Sequence, residues 1–204
     1  KSVFLGSFFF AILASSWALL AGIAGQFSFG HMGFLGIGAY VAGLFARDGL
    51  SIAIIQFNLP PESISAVGSI IVGTIVAGIF GLIIGWMLLR LRSSYLALFT
   101  IAFSELFRII MVTEFEYTRG INGLRLRPLV EMSDPVAARN AGYYIMFFLL
   151  IASLILMYII SQSRIGLFLR AMREDEEAAS SLGVNVIRYK IMIFVITSMI
   201  VGLA

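Results

Sequence analysis

Few residues in this chain are equipped for chemistry, and they fall in three places. The single histidine, His31, lies in the glycine-rich stretch GQFSFGHMGFLGIGAY, residues 25–40, close after Gln26 and Ser28. No cysteine and no second histidine could share a metal with it, so a metal site there lacks its ligands. In a second place, Thr100, Ser104 and Arg108 recur every four residues along one helical face, with Glu105 three residues before Arg108. An acid and a base at that spacing can neutralise one another, or offer complementary charges to a zwitterion. The third place is SQSRIGLFLRAMREDEEAASSLGVNVIRYK, residues 161–190, where four acids in a row follow Arg170 and Arg173 at helical contact distance. No constellation of His, Asp or Cys supports catalysis. The chain lacks a GxxxxGK[ST] phosphate loop, and Gly36-x-Gly38 has neither the strand nor the spacing of a dinucleotide fingerprint.

The elements that carry these residues must be membrane-spanning. Hydrophobic residues make up 60% of the chain and charged ones 12%, with mean hydropathy +1.02, too few polar groups to cover a soluble fold. The basic residues sit between apolar runs, an anchoring pattern that forms no face for nucleic acid. Apolar runs cover residues 3–24, 27–45, 64–89, 94–112 and 142–160, and a last run from Ile191 stops at Ala204 after 14 residues, short of the roughly 20 that a span needs. Open sheets cannot satisfy their backbone in lipid. The expectation is therefore an all-α, polytopic transmembrane helical bundle with five complete hydrophobic segments and a truncated sixth. Residues 1–204 are expected to form one transmembrane domain, a piece of a longer chain.

Arg90 and Arg92 would anchor the end of the third run, and Pro60-Pro61 would break the connector before it. If 161–190 is cytoplasmic and each run crosses once, seven basic residues lie inside and six outside, a difference too small to fix orientation. The 113–141 loop would then face outward, either as a landing area for a delivery protein or as an ordinary loop.

Three segments each admit two readings. The glycines of residues 25–40 either let helices pack closely, or mark a broken or re-entrant helix whose freed backbone groups are capped by Gln26, Ser28 and His31. Glu105 and Arg108 either pair toward the bundle, or Arg108 snorkels to the interface. In 161–190, Ile165, Leu169, Met172, Ala179 and Leu182 recur at helical spacing, with Gly183 where a helix would stop. That segment is either a solvated surface helix or one that docks its apolar face into a partner.

The same segment carries a family resemblance. Glu177-Ala178-Ala179 followed by Gly183 matches the EAA-x-x-x-G loop of bacterial ABC importer permeases. The wider string SRIG…RAMREDEEAASSLGVNVIRYK, the stretch GQFSFGHMGFLGIGAY and LRLRSSYLALFTIAFSELFRI…GINGLR together resemble, in family order, the LivM-type permeases of branched-chain amino acid importers. The resemblance implies no enzyme but a multi-pass subunit of the bacterial inner membrane that moves branched-chain or similar small amino acids by alternating access. It implies a second permease subunit, two ATPase subunits that bind the ATP, a substrate-binding protein outside, and no cofactor in this chain. Residues 161–190 would be the cytoplasmic coupling loop, with Arg173, Glu174, Glu177, Ala178, Ala179 and Gly183 against the ATPase. Gln26, Ser28, His31, Thr100, Ser104, Glu105 and Arg108 would be candidates for the translocation path. Relatives carrying urea or amides, and transport driven by an ion gradient, are the alternative readings.

Overall fold

The computed structural model describes residues 2–48, 66–88, 93–124 and 135–204. The Pro60-Pro61 connector, Arg90 and Arg92, and the part of the long loop that holds Arg125 and Arg127 lie outside the described residues. Within them the regular structure is helical: α1 (Ser2–Trp17) continuing into a π-helical turn (Ala18–Ile23), α2 (His31–Asp48), α3 (Ala66–Leu88), α4 (Ser93–Thr113), the short α5 (Phe115–Thr118), α6 (Pro135–Gln162), α7 (Arg164–Glu174), α8 (Glu176–Ser181) and α9 (Val186–Leu203). Five stretches are long and apolar enough to cross a membrane: Phe4–Ile23, Val67–Met87, Tyr95–Thr113, Asn140–Gln162 and Val186–Leu203. Large apolar side chains cover the outside, among them Trp86, Leu98, Phe148 and Tyr158, as a hydrocarbon solvent requires. The chain is a multi-pass membrane protein built as an all-α bundle.

Side-chain contacts give the directions of the helices. Phe8 of α1 stacks on Tyr143 and Phe147 of α6, with ring centroids 5.3 and 5.6 Å apart, so α1 and α6 start side by side. Gly33 and Gly36 of α2 meet Phe103 and Phe107 of α4 in the same order, so this pair is parallel. Along α3, Gly73 and Ala77 lie near Gly202 and Gly81 lies near Ser198, so α3 and α9 are antiparallel; Gly73 also touches Gly38 and Ala42 of α2. The far end of α4, with α5 beyond it, therefore lies on the face opposite α7 and α8.

Glycine makes the central contact. A Cβ on Gly38 would lie 2.6 Å from the Cα of Gly202, and one on Gly73 would lie 2.5 Å from the carbonyl oxygen of Gly38. Lipid offers no hydrophobic drive for helix association, so the backbones gain their attraction by touching. Phe194 of α9 closes the seam beneath, edge-on to Phe34 at 5.6 Å and 86°.

Three boundaries differ from the sequence expectation. The second apolar segment becomes helical only at His31, not at residue 27. The sixth starts at Val186 rather than Ile191 and is long enough to span. Asn185 caps that helix by accepting from the Arg188 backbone N–H at 3.1 Å. Lys190, which read as a polar boundary, lies buried inside it with its amine on the Glu176 carboxylate of α8. Finally, α6 begins at Pro135, where proline's missing N–H costs nothing, so the preceding loop is shorter than expected.

Candidate functional site

Between the end of the π-helical turn and the start of α2 the chain runs extended. Gly25 turns it with φ +68°, a conformation open to glycine at little cost. Gln26, Ser28 and Gly30 then point inward and Phe27 and Phe29 outward, the two-residue alternation of extended backbone. Unpaired backbone groups in an apolar bundle cost several kcal/mol each, and here other helices supply their partners. The Phe29 N–H donates to Thr100 Oγ1 at 3.0 Å, Ser104 Oγ donates to the Phe29 carbonyl at 3.3 Å, and Trp17 Nε1 donates to the Ser28 carbonyl at 3.0 Å. Both sequence readings of the glycines thus hold in part: the helix is broken, and Gly33, Gly36 and Gly38 admit neighbouring helices. The capping expectation needs correction. Ser28 Oγ accepts from the Gly30 N–H at 3.2 Å, but the Gln26 amide and both ring nitrogens of His31 are buried with no hydrogen-bond partner among the described residues. The alternation turns the Gln26 side chain away from the neighbouring Phe29 backbone, and α4 takes its place.

Where the extended run meets α4, a cleft of about 610 Å³ opens between α2 and α4. Phe29, Met32, Tyr40 and Phe107 supply its apolar wall, and Ser104, Glu105 and Arg108 its polar one. Arg108 donates to both carboxylate oxygens of Glu105, Nε at 2.9 Å and Nη2 at 2.5 Å, a bidentate pair. The two side chains remain 53% and 64% exposed, so the pair faces the cleft while Thr100 is fully buried behind it. Of the sequence candidates, Ser104, Glu105 and Arg108 line this opening, while Ser28 and Thr100 are fully buried behind it. The cleft can hold a small molecule with an apolar body and paired opposite charges.

At the other end of the bundle, α7 and α8 form a bent element. The helix expected over 165–182 divides at Asp175, whose Oδ1 accepts from the backbone N–H groups of Glu177 and Ala178 at 2.9 and 3.0 Å. This N-cap starts a new helix instead of continuing the old one. The stop at Gly183 is as the sequence indicates. With φ +85°, the Gly183 N–H reaches the Ser180 carbonyl at 2.9 Å and the Val184 N–H reaches that of Ala179 at 3.1 Å, the Schellman pairing. Leu169, Met172 and Ala179 are buried against the bundle, but Leu182 is 86% exposed. Its place in the apolar pattern assigned it inward; as the helix C-cap it turns outward. Glu177, Ala178 and Gly183 are exposed beside it.

Arg173 is exposed at the edge of the bundle but reaches back to it. Its Nη1 donates to the Gly22 carbonyl at 2.6 Å, and its Nη2 lies 2.6 Å from Glu174 Oε1. Sequence reasoning missed this bond, the Trp17 bond and the exposure of Leu182. Only Trp17 left a signal, as an indole N–H in a span that needs an acceptor. Among the described residues no three His, Asp or Glu side chains gather as they would around a metal ion.

Over residues 2–204 the chain matches the family described as the branched-chain amino acid transport system permease component. It is 28% identical to the high-affinity branched-chain amino acid transport system permease protein LivM of Escherichia coli (strain K12), and 27% identical to the LivM protein of Salmonella typhimurium (strain LT2). Both comparisons cover 96% of this chain and 48% of the relative, so the chain spans about half the length of the curated relatives it matches. No solved structure matches it significantly.

Proposed function

Because the chain belongs to the branched-chain amino acid transport permease family, we propose that it acts as the membrane-spanning part of an ABC importer in the bacterial inner membrane. It passes branched-chain or similar small amino acids by alternating access. The ATP is bound by two partner ATPases beneath it, a second permease subunit completes the path, and an external binding protein delivers the substrate. The face bearing α7 and α8 is cytoplasmic in this reading, and residues 161–190 are its coupling loop.

The observation that most supports this reading is the shape of α8. The helix is fixed at both ends, by Asp175 and by the Gly183 turn, while Glu177, Ala178 and Leu182 stand exposed. Leu182 supplies an apolar anchor for a groove and the acids supply charge for basic groups around it. The cleft between α2 and α4 supports a polar station on the path. Its bidentate pair can present a carboxylate to an ammonium group and a guanidinium to a carboxylate, beside an apolar wall suited to a branched side chain.

The test is uptake of labelled leucine into vesicles carrying the assembled transporter. Uptake should require ATP and the binding protein, and should survive collapse of the proton gradient. Uptake driven by an ion gradient without nucleotide would overturn the reading.

A further inference from the structure

We infer that Arg173 is a positioning residue that ties the α7–α8 element to the broken helix, and through it to the cleft between α2 and α4. The inference rests on the proposed coupling role of α8, and it assigns Arg173 a task inside the bundle rather than on the ATPase.

Two contacts fix Arg173 to the corner where the π-helical turn ends. The guanidinium donates to the Gly22 carbonyl at 2.6 Å, one of the acceptors left unpaired at a helix C-terminus, where a cation is favoured. The stem of the same side chain fills the inside of the turn at Gly25. A Cβ on Gly25 would lie 2.6 Å from Arg173 Cγ and 3.2 Å from its Cβ. Gly25 is therefore glycine for two reasons, its φ of +68° and the arginine lying against it.

From this corner the chain runs extended from Gly25 to Phe29, a reach of roughly 13 Å over four steps. An extended run has no internal hydrogen bonds, so its anchors set its position. Arg173 holds the near end together with the Gln26 N–H, which donates to the Leu20 carbonyl at 3.1 Å. Trp17, Thr100 and Ser104 hold the far end through the backbone of Ser28 and Phe29. Phe29 itself lines the cleft, next to the α4 face that carries Glu105 and Arg108. On the other side, Leu169 and Met172 are 0% and 1% exposed, so the inner face of α7 is locked to its neighbours and Arg173 moves with that helix. A push on α8 that tilts α7 thus shifts the corner, the extended run, and the wall of the cleft. Arg173 Nε and Nη2 both donate to Glu174 Oε1, at 3.3 and 2.6 Å, which orients the guanidinium.

The chain has no cysteine, so Met32→Cys in the cleft wall gives it a single thiol reporter, read on this chain's own band after the subunits are separated. In the complete transporter in vesicles, with Arg173 present, adding ATP and vanadate should change the labelling rate about fivefold or more, the low end of coupling between sites. Arg173→Met, which keeps the stem but loses the donor, should abolish that change, and Arg173→Lys should restore most of it. Gly25→Ala, which crowds the arginine without altering the outer surface, should reproduce the loss with the ATPases still attached. A nucleotide response that persists in both Arg173→Met and Gly25→Ala overturns the inference. So does a transporter whose ATP-driven uptake is intact while the reporter never responds. Absence of any ATP-driven uptake would instead bring down the importer reading beneath it.

Discussion

Gly38→Ala should destabilise the bundle although alanine is the better helix former. The new Cβ would lie 2.6 Å from the Cα of Gly202 and 2.9 Å from its carbonyl carbon. Carbon atoms settle at about 3.5–4.0 Å, so α2 and α9 must part by about 1 Å, which forfeits a quarter to a half of each dispersion contact nearby. The obstacle is backbone, so no side-chain rotation relieves it, and overpacking of this kind costs about 1–3 kcal/mol. Against this stands the gain of up to about 1 kcal/mol from replacing glycine within a helix. Gly6→Ala in α1 and Gly142→Ala in α6 share that gain but meet nothing within 4 Å, so they isolate the clash. Unfolding of the intact permease in mixed micelles by increasing denaturing detergent should place Gly38→Ala about 1–3 kcal/mol below both controls. Gly38→Ala combined with Gly73→Ala should cost less than the sum, because a seam already opened accepts the second Cβ. If Gly38→Ala matches the controls within about 0.5 kcal/mol, the usual error in comparing separate sites, the close contact does not hold the bundle and the reasoning fails.

Two further outcomes bear on function. Leu182→Asp should weaken attachment of the partner ATPase by roughly 10- to 150-fold, the worth of one buried leucine, measured as equilibrium binding in detergent; unchanged affinity would remove Leu182 from the docking surface. Glu105→Gln leaves Arg108 without its carboxylate, and leucine uptake should fall roughly tenfold or more, the scale of one charged hydrogen bond, with membrane insertion intact. Wild-type uptake by that variant would exclude the pair from the path.

Much of the fold was legible because lipid leaves the chain so few choices. Runs of apolar residues near 20 long must be helices, and four of the five expected complete runs are spans; the fifth span is the run that read as truncated, while the second run yields only the shorter His31–Ala46. Their ends were less legible where charge misled. Lys190 read as the edge of a span because a lone ammonium belongs in water, but the Glu176 carboxylate arriving from α8 lets the helix continue through it. Asp175 read as one acid in a run, though its side chain divides the helix by capping Glu177 and Ala178.

The candidate site divides the same way. Spacing alone placed Glu105 within reach of Arg108 and put Gly183 at a helix stop, because both depend on neighbours three or four residues away. Spacing could not reveal that Thr100 would receive the Phe29 N–H, that Trp17 would hold the Ser28 carbonyl, or that Arg173 would turn inward to Gly22. Those bonds join residues 71, 11 and 151 positions apart. The sequence by itself determined a chain of membrane helices, a charged bend between two of them, and a glycine-rich stretch unlike the rest. The tertiary structure alone decided what that stretch became, because a broken helix survives in an apolar bundle only where distant side chains supply the hydrogen bonds its own backbone has given up.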